Sequence, residues 1–225
     1  MFSSNIVSKK FNNKRLDLFL VHMGIVKSRQ RAVSLIMSGN VYIIDEKIDK
    51  PGKLIKNKQI IRIKKNDNPW VSRGGLKLAK AISKFKINVK DKVCADIGCS
   101  TGGFSDVLLK NDAKKIFAID VGYGQFDWRL RNSKNIILLE RTNAKFVNSK
   151  IITELIDLVV CDVSFISLKK VILPFKSLLK KKFEIIALIK PQFEASKQLV
   201  GKKGIIRDDK THRNICRNIN SWFVE

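Results

Sequence analysis

The chain has 225 residues, 44% of them hydrophobic, which suffices for one large domain or two modest ones. Its 45 Lys and Arg residues against 20 acidic residues give a formal net charge of +25. Such an excess of positive charge indicates a polyanionic partner, most commonly nucleic acid. No apolar run approaches the ~18 residues that span a bilayer, and residues 1–11 lack the apolar core of a signal peptide. These features predict a soluble, cytoplasmic protein without a membrane-spanning segment.

The cysteines and histidines do not have the spacing of metal ligands. Three of the four cysteines lie in or beside apolar runs, and there are only two histidines. We therefore expect no metal site, and we expect these cysteines to be small buried hydrophobes in a reducing cytosol.

The first segment, residues 14–66, is small and basic. Within 14–65 there are 13 Lys or Arg residues and four acidic ones. Apolar spacing predicts one helix that begins near Leu16 and ends at Gly24. A second helix is predicted between Ser28 and Gly39, with Ala32, Leu35 and Ile36 on its buried face. Short strands are expected near 41–43 and 60–63, so this segment is too small for an enzyme and is typical of a binding module.

A joint follows at Asp67-Asn68-Pro69, and we predict an interdomain linker over residues 67–75. The periodic residues Leu76, Ala79, Ile82 and Phe85 then predict a helix that opens the second domain, residues 76–225.

The second domain alternates between strands and helices, which predicts an α/β fold with a parallel sheet covered on both faces. The expected strands lie near 93–97, 116–120, 136–139, 156–161 and 184–189. Ligands in such sheets bind at the carboxyl ends of the strands. Asp96, Asp120, Asp162 and Lys190 are predicted to lie at strand ends and are therefore candidate site residues.

A glycine-rich turn follows the first of these strands, in the segment Asp96-Ile97-Gly98-Cys99-Ser100-Thr101-Gly102-Gly103-Phe104. Glycine accepts φ > 0 and lets the backbone approach a ligand closely. The spacing fits neither a phosphate-binding P-loop nor the Gly-x-Gly-x-x-Gly fingerprint. It is typical of a nucleotide-type pocket, and the alternative is a glycine-rich turn that binds no ligand.

Part of the first domain resembles the S4 RNA-binding domain. The segments that carry the resemblance are Arg15-Leu16-Asp17, Ser28-Arg29, Ser38-Gly39-Asn40-Val41 and Lys50-Pro51-Gly52. The resemblance implies contacts to the phosphates of structured RNA, which position the RNA rather than read its sequence. The candidate RNA-binding residues are Lys27, Arg29, Arg31, Lys53 and Arg73. The alternative is a solvated charged face.

The whole chain from about residue 14 resembles the TlyA (hemolysin A-like) family of ribosomal RNA methyltransferases. The segments that carry the resemblance begin at Ser72, Asp96, Cys161 and Lys190. The resemblance implies a Rossmann-like class I methyltransferase domain of the FtsJ type after the S4 domain, and S-adenosylmethionine as the cofactor. It also implies methylation of a ribose 2′-hydroxyl, on a cytidine where the nucleotide is known, with ribosomal RNA or ribosomal subunits as partner. The implied cofactor-binding residues are Asp96, Gly98, Ser100, Gly102, Gly103, Phe104, Asp120 and Asn143.

The family uses a Lys-Asp-Lys-Glu tetrad, whose first three members match Lys77, Asp162 and Lys190. A ribose hydroxyl must lose its proton as the methyl group arrives. A lysine acts as the base only if its pKa falls towards ~7–8 through burial and a neighbouring cation. We favour Lys190 as the base, although either lysine fits the role.

The C-terminal part departs from the family pattern. A helix beginning at Asp208-Asp209 is the last predicted element, whereas the family continues with two strands and the tetrad glutamate. Glu194 and Glu225 do not match the Gly-Asn-x-Glu context of that glutamate. The second domain is therefore expected to be C-terminally truncated, with an unpaired sheet edge. The alternative function is an RNA- or ribosome-binding protein that has lost catalysis; the lack of a secretion signal or spanning segment disfavours a pore-forming hemolysin.

Overall fold

A computed structural model describes residues 2–64, 68–201 and 204–224, except for the side chain of Lys197. The chain divides into two compact units, Met1–Pro69 and Trp70–Glu225. Within the described residues, none of the helices has the length and apolar character needed to cross a membrane.

The first unit is an α+β module whose helices cover one face of an antiparallel sheet. Its elements are β1 Phe2–Ile6, β2 Lys14–Arg15, α1 Leu16–His22, α2 Arg29–Met37, β3 Val41–Ile43, β4 Glu46–Ile48, β5 Leu54–Ile55 and β6 Ile60–Lys64. The four-stranded sheet has the order β1-β6-β3-β4, and β2 pairs with β5. Strand β1 precedes residue 14, where the sequence placed the start of this domain.

The two helices follow the sequence prediction closely. The Ser28 hydroxyl accepts a hydrogen bond from the Arg31 amide and caps α2. Ala32 and Ile36 of α2 are fully buried, while Leu35 packs partly buried against the same core. This core is closed by the buried residues of α1 and the sheet, Leu16, Phe19, Leu20, Val41, Ile61 and Ile63.

The segment between the two units is shorter than the predicted linker over 67–75, because residues 70–75 belong to the second unit. The side chains of Trp70 and Val71 pack against a core cluster of that unit, and the Val71 amide donates to a carboxylate oxygen of Asp106. Residues 65–67, which include part of the predicted joint, lie outside the described residues.

The second unit is a five-stranded parallel sheet with helices on both faces. Its elements are α3 Gly74–Phe85, β7 Val93–Ile97, α4 Gly103–Lys110, β8 Lys115–Ile119, α5 Trp128–Arg131, β9 Ile136–Leu139, β10 Ile156–Cys161, α6 Leu168–Ile172, β11 Leu179–Ala187, α7 Pro191–Glu194 and α8 Asp209–Val224. The sheet order is β11-β10-β7-β8-β9, and every neighbouring pair is parallel. One face carries a core that includes α6 and α8, and the other carries a core that includes α3 and α4.

Two details of this unit differ from the sequence prediction. The last strand begins at Leu179 rather than near residue 184. The buried residues of α3 are Gly75 and Leu78, whereas Leu76 and Phe85 are 46% and 65% exposed. The sequence spacing identified the helix correctly, but only Ala79 and Ile82 of its four periodic residues pack against the core beside Leu78.

Asp96 lies near the end of its strand, as predicted. It is the second-last residue of β7, and its side chain is fully buried. Asp120 and Asp162 directly follow β8 and β10, and Lys190 follows β11 by three residues. These three residues therefore lie at the carboxyl edge of the parallel sheet, as expected.

Candidate active site

The glycine-rich turn connects the end of β7 to the first residue of α4. Gly98 and Gly102 have φ of +80° and +89°, in the region that favours glycine. A Cβ atom on Gly98 would lie 3.0 Å from the carbonyl oxygen of Asp162. A Cβ atom on Gly102 would lie 2.6 Å from Leu130 Cδ1. The glycines therefore let this turn pack tightly between the neighbouring strand end and α5.

The larger cavity at the carboxyl edge of the sheet has a volume of about 540 Å³. Its lining comes from the residues that follow β7, β8, β9 and β10, namely Gly98, Ser100, Asp120, Val121, Asn143, Asp162, Val163 and Phe165 among others. Its volume lies within the range of small-molecule sites, and its lining combines apolar side chains with a few polar groups.

Asp120 organises one wall of this cavity. Its Oδ2 accepts a hydrogen bond from the Ser100 amide, and its Oδ1 accepts one from the Gly122 amide, each at 2.7 Å. The carboxylate therefore joins the glycine-rich turn to the loop after β8. Each carboxylate oxygen can accept a second hydrogen bond, so Asp120 can also receive a ligand hydroxyl. Asn143 is exposed, and its Oδ1 accepts from the Lys145 amide, so its side chain also caps a short 3₁₀ helix.

A second cavity of about 310 Å³ is lined by several of the same residues as the first. The shared residues are Gly98, Ser100, Asp162 and Ser164, and the second cavity adds Ser72, Gly74, Cys99, Thr101, Gly103, Phe104 and Lys190. The two cavities therefore meet beside the glycine-rich turn. A molecule that extended from the first cavity into the second would reach Lys190.

Asp162 stands between two lysines. Lys77 Nζ donates a hydrogen bond to Asp162 Oδ2 at 2.8 Å, and Lys190 Nζ forms an ion pair with Asp162 Oδ1 at 2.7 Å. Burial raises the pKa of Asp162, but the ammonium groups of Lys190 and Lys77 outweigh burial and hold this pKa below its ordinary value. The structure thus brings together the three residues that the sequence proposed as catalytic, although they lie on α3 and after two different strands.

The side chain of Ser164 contacts the lysine–aspartate cluster, although the sequence analysis gave it no role. Its Oγ accepts a hydrogen bond from Lys190 Nζ at 2.8 Å. Its sequence signal was its position in the segment that begins at Cys161, two residues after Asp162. Glu194 accepts from the Ser167 hydroxyl and the Leu168 amide, so it ties the loop after β10 to the segment after β11.

Asp96 lies beneath the site rather than in the lining of either cavity. Its Oδ2 accepts a hydrogen bond from the Ser105 hydroxyl of α4 at 2.6 Å, and its Oδ1 has no hydrogen-bond partner within the described part of the chain. Burial raises the pKa of Asp96 to about 7, although the bond from Ser105 lowers it. Its observed contact joins β7 to α4 and supports the glycine-rich turn from below.

The RNA-binding candidates of the first unit are all at its surface, but two of them have acidic partners. Lys27 and Arg31 are exposed. Arg29 Nε donates to Asp17 Oδ2 at 3.0 Å, and Lys53 Nζ lies 3.4 Å from Glu46 Oε2. The fifth candidate is Arg73, which is exposed directly before α3 in the second unit.

The sequence analysis included Asp17 in a segment that resembles the S4 domain but gave it no role of its own. Its carboxylate is fully buried and bonds to both Arg15 and Arg29. The hydrogen bond from Arg15 is the largest influence and, with that from Arg29, holds the pKa of Asp17 at about 2. One carboxylate therefore fixes two guanidinium groups of the first unit.

Comparison with known proteins agrees with this geometry. Residues 70–224 match the model of the FtsJ-like methyltransferases, and residues 14–61 match that of the S4 domain. The chain belongs to the FtsJ-like methyltransferase family. The second unit is thus an FtsJ-like methyltransferase domain, and an S4 domain precedes it in the chain.

The similarity to individual relatives extends over both units. YqxC of Bacillus subtilis is 43% identical over 218 residues, which cover 96% of this chain and 76% of YqxC. The protein named 16S/23S rRNA (cytidine-2′-O)-methyltransferase TlyA in Mycobacterium tuberculosis is 41% identical over 86% of this chain and 73% of its own length. A solved structure from Streptococcus thermophilus, 34% identical, superposes with a TM-score of 0.70 over 94% of this chain and 78% of that one.

Proposed function

We propose that this protein transfers a methyl group from S-adenosylmethionine to a ribose 2′-hydroxyl of ribosomal RNA. The observation that carries the proposal is the Lys77–Asp162–Lys190 cluster next to a cavity beside the glycine-rich turn. The name of the mycobacterial relative, which specifies cytidine 2′-O-methylation of rRNA, supports this choice of substrate.

The residues present fit S-adenosylmethionine. The 540 Å³ cavity suits a nucleoside, and its lining includes Asp120, which would hold the ribose hydroxyls, and Asn143, which would contact the adenine. The cradle at Gly98 leaves no room for a side chain, so the backbone can approach the methionine part closely. When bound, this cofactor supplies an electrophilic methyl group on a sulfonium sulfur.

We assign to Lys190 the acceptance of the 2′-hydroxyl proton. The side chain of Lys190 is 22% exposed and that of Lys77 is 50% exposed, so Lys190 is the more enclosed amine. For this step the Lys190 ammonium must first release a proton to solvent. The neutral amine at Nζ would then take the proton of the 2′-hydroxyl as the oxygen–methyl bond forms and the methyl–sulfur bond breaks. Asp162 and Ser164 hold Nζ in place, because each lies within 2.8 Å of it.

Positioning contributes much of the rate in such a transfer, because the ribose oxygen must attack in line with the leaving sulfur. Lys77 holds the second oxygen of Asp162, so the orientation of the carboxylate does not depend on Lys190 alone. The S4-like first unit adds affinity for the RNA backbone through its exposed cations.

The deciding experiment maps ribose methylation on rRNA from cells with and without this gene, and from cells that carry the Lys190→Met variant. We expect one or more 2′-O-methylated nucleotides that require the gene and disappear in the variant. In parallel, the purified chain is incubated with ribosomal subunits and methyl-labelled S-adenosylmethionine. Binding of subunits without any transfer would instead support the RNA-binding function without catalysis.

A further inference from the structure

A groove in the first unit combines an apolar floor with a cationic rim. It has a volume of about 530 Å³ and lies between α1 and the segment that precedes it. The floor consists of Phe11, Leu18, Val21 and His22, and the rim consists of Lys10, Lys14 and Arg29. None of the residues that line the groove is acidic.

The floor keeps part of its apolar surface exposed, although Phe11 and Val21 also pack against the core of the unit. Leu18 is 46% exposed, while its neighbours Phe19 and Leu20 on α1 are fully buried. The Phe11 ring packs edge-on against Phe19 at 5.2 Å between ring centroids, and it is tilted against the His22 ring at 4.7 Å. These contacts fix the aromatic part of the floor, so a planar ligand meets a preformed surface.

One cation of the rim, Arg29, is held in place by a hydrogen bond to Asp17. Arg29 uses its Nε to bond the buried Asp17 carboxylate, and its side chain remains 60% exposed. Lys10 and Lys14 are exposed on the same groove. The rim is therefore complementary to an anion, and Asp17 reduces the conformational entropy that Arg29 loses on binding.

We propose that this groove binds one unstacked nucleotide of a single-stranded RNA segment, with the base on the floor and the adjacent phosphates on the rim. An unpaired nucleotide offers both chemistries at once, because a base has a flat π face and its backbone is anionic. Acidic side chains by themselves would contact the rim but would leave Leu18 and Phe11 without a partner. The proposal refines the proposed function, because it assigns this unit a contact to an unpaired base in addition to phosphates.

The test measures binding of the full chain, without cofactor, to two fluorescent probes of equal length. One probe is a single-stranded RNA decamer, and the other is an abasic ribose-phosphate decamer. Leu18→Ser is expected to weaken binding of the RNA about 3- to 10-fold and to leave the abasic probe unchanged, because only the RNA stacks on the floor. Leu18→Trp is expected to tighten RNA binding, since a larger aromatic surface is presented to the base.

The rim is tested with Lys14→Gln, which should weaken both probes and lower the slope of log K against log salt by about one. Met37→Ser is the matched apolar control, because Met37 is 66% exposed on α2 and lies outside the groove. Lys56→Gln is the matched charge control on the same unit. Circular dichroism verifies that each variant is folded.

The proposal is overturned if Leu18→Ser leaves RNA binding unchanged, or if it weakens both probes equally. It is also overturned if Leu18→Trp fails to tighten RNA binding. This binding test is independent of the proposed catalysis, because it measures no methyl transfer. If the chain binds RNA in the expected pattern but a separate assay detects no methylation, only the proposed catalysis is refuted.

Discussion

The buried carboxyl of Asp96 gives a prediction about stability and pH. Burial raises its pKa from 3.8 to about 7. Since the folded state then holds a proton that the unfolded state releases, the free energy of unfolding falls as pH rises from about 4 to about 7. This pKa difference of about 3 units corresponds to a loss of about 4 kcal/mol in the free energy of unfolding, and the full loss is reached above pH 7.

The variant Asp96→Asn should remove this pH dependence. At about pH 3 the carboxyl is largely protonated in both the folded and the unfolded state, so the difference in unfolding free energy between variant and wild type reflects mainly the exchange of a carboxyl for an amide. Between about pH 3 and about pH 8 this difference should increase by about 4 kcal/mol in favour of the variant. Cofactor affinity should stay within a few-fold, because Asp96 lines neither cavity.

Urea unfolding followed by tryptophan fluorescence measures this effect in the relevant unit. All three tryptophans, Trp70, Trp128 and Trp222, lie in the second unit. Asp112→Asn is the control, because Asp112 is exposed at a positive φ that asparagine tolerates. A pH profile of Asp96→Asn parallel to that of wild type would refute the reasoning, and a large loss of cofactor affinity would assign Asp96 to the cofactor.

Three further variants test the site and the first unit. Lys190→Met should lower methyl transfer at least about 100-fold while S-adenosylmethionine affinity, measured by calorimetry, changes less than about threefold; a large loss of affinity would make Lys190 a cofactor ligand. Gly98→Val should weaken S-adenosylmethionine binding more than about tenfold, because its Cβ would lie 3.0 Å from a backbone oxygen at a φ of +80°; unchanged affinity would remove the turn from the cofactor site. Asp17→Asn should destabilise the first unit at pH 7 by about 1 kcal/mol, after allowance for solvent screening at the half-exposed Arg15 and Arg29. Because the pKa of Asp17 is about 2, below its usual 3.8, this loss should shrink as pH falls from about 4 towards 2; hydrogen exchange of α1 amides would show it, and a loss independent of pH would contradict it.

Local sequence patterns determined the two-unit organisation, the parallel sheet and the glycine-rich turn. Helix caps such as Ser28 and apolar runs such as 93–97 and 156–161 act over a few residues, so they can be recognised without knowledge of distant contacts. Motif spacing also selected Asp162 and Lys190, because each follows an apolar run in a characteristic segment.

Only the tertiary structure decided which side chains meet. The contacts of Asp162 with Lys77 and Lys190 join residues 85 and 28 positions apart in the numbering, and the burial of Asp96 under α4 depends on how that helix packs on β7. The bond between Asp17 and Arg29, and the groove beside it, likewise require α1 and α2 to be packed together. Distances of this kind follow from packing between elements that are remote in sequence, and a local pattern carries no information about that packing.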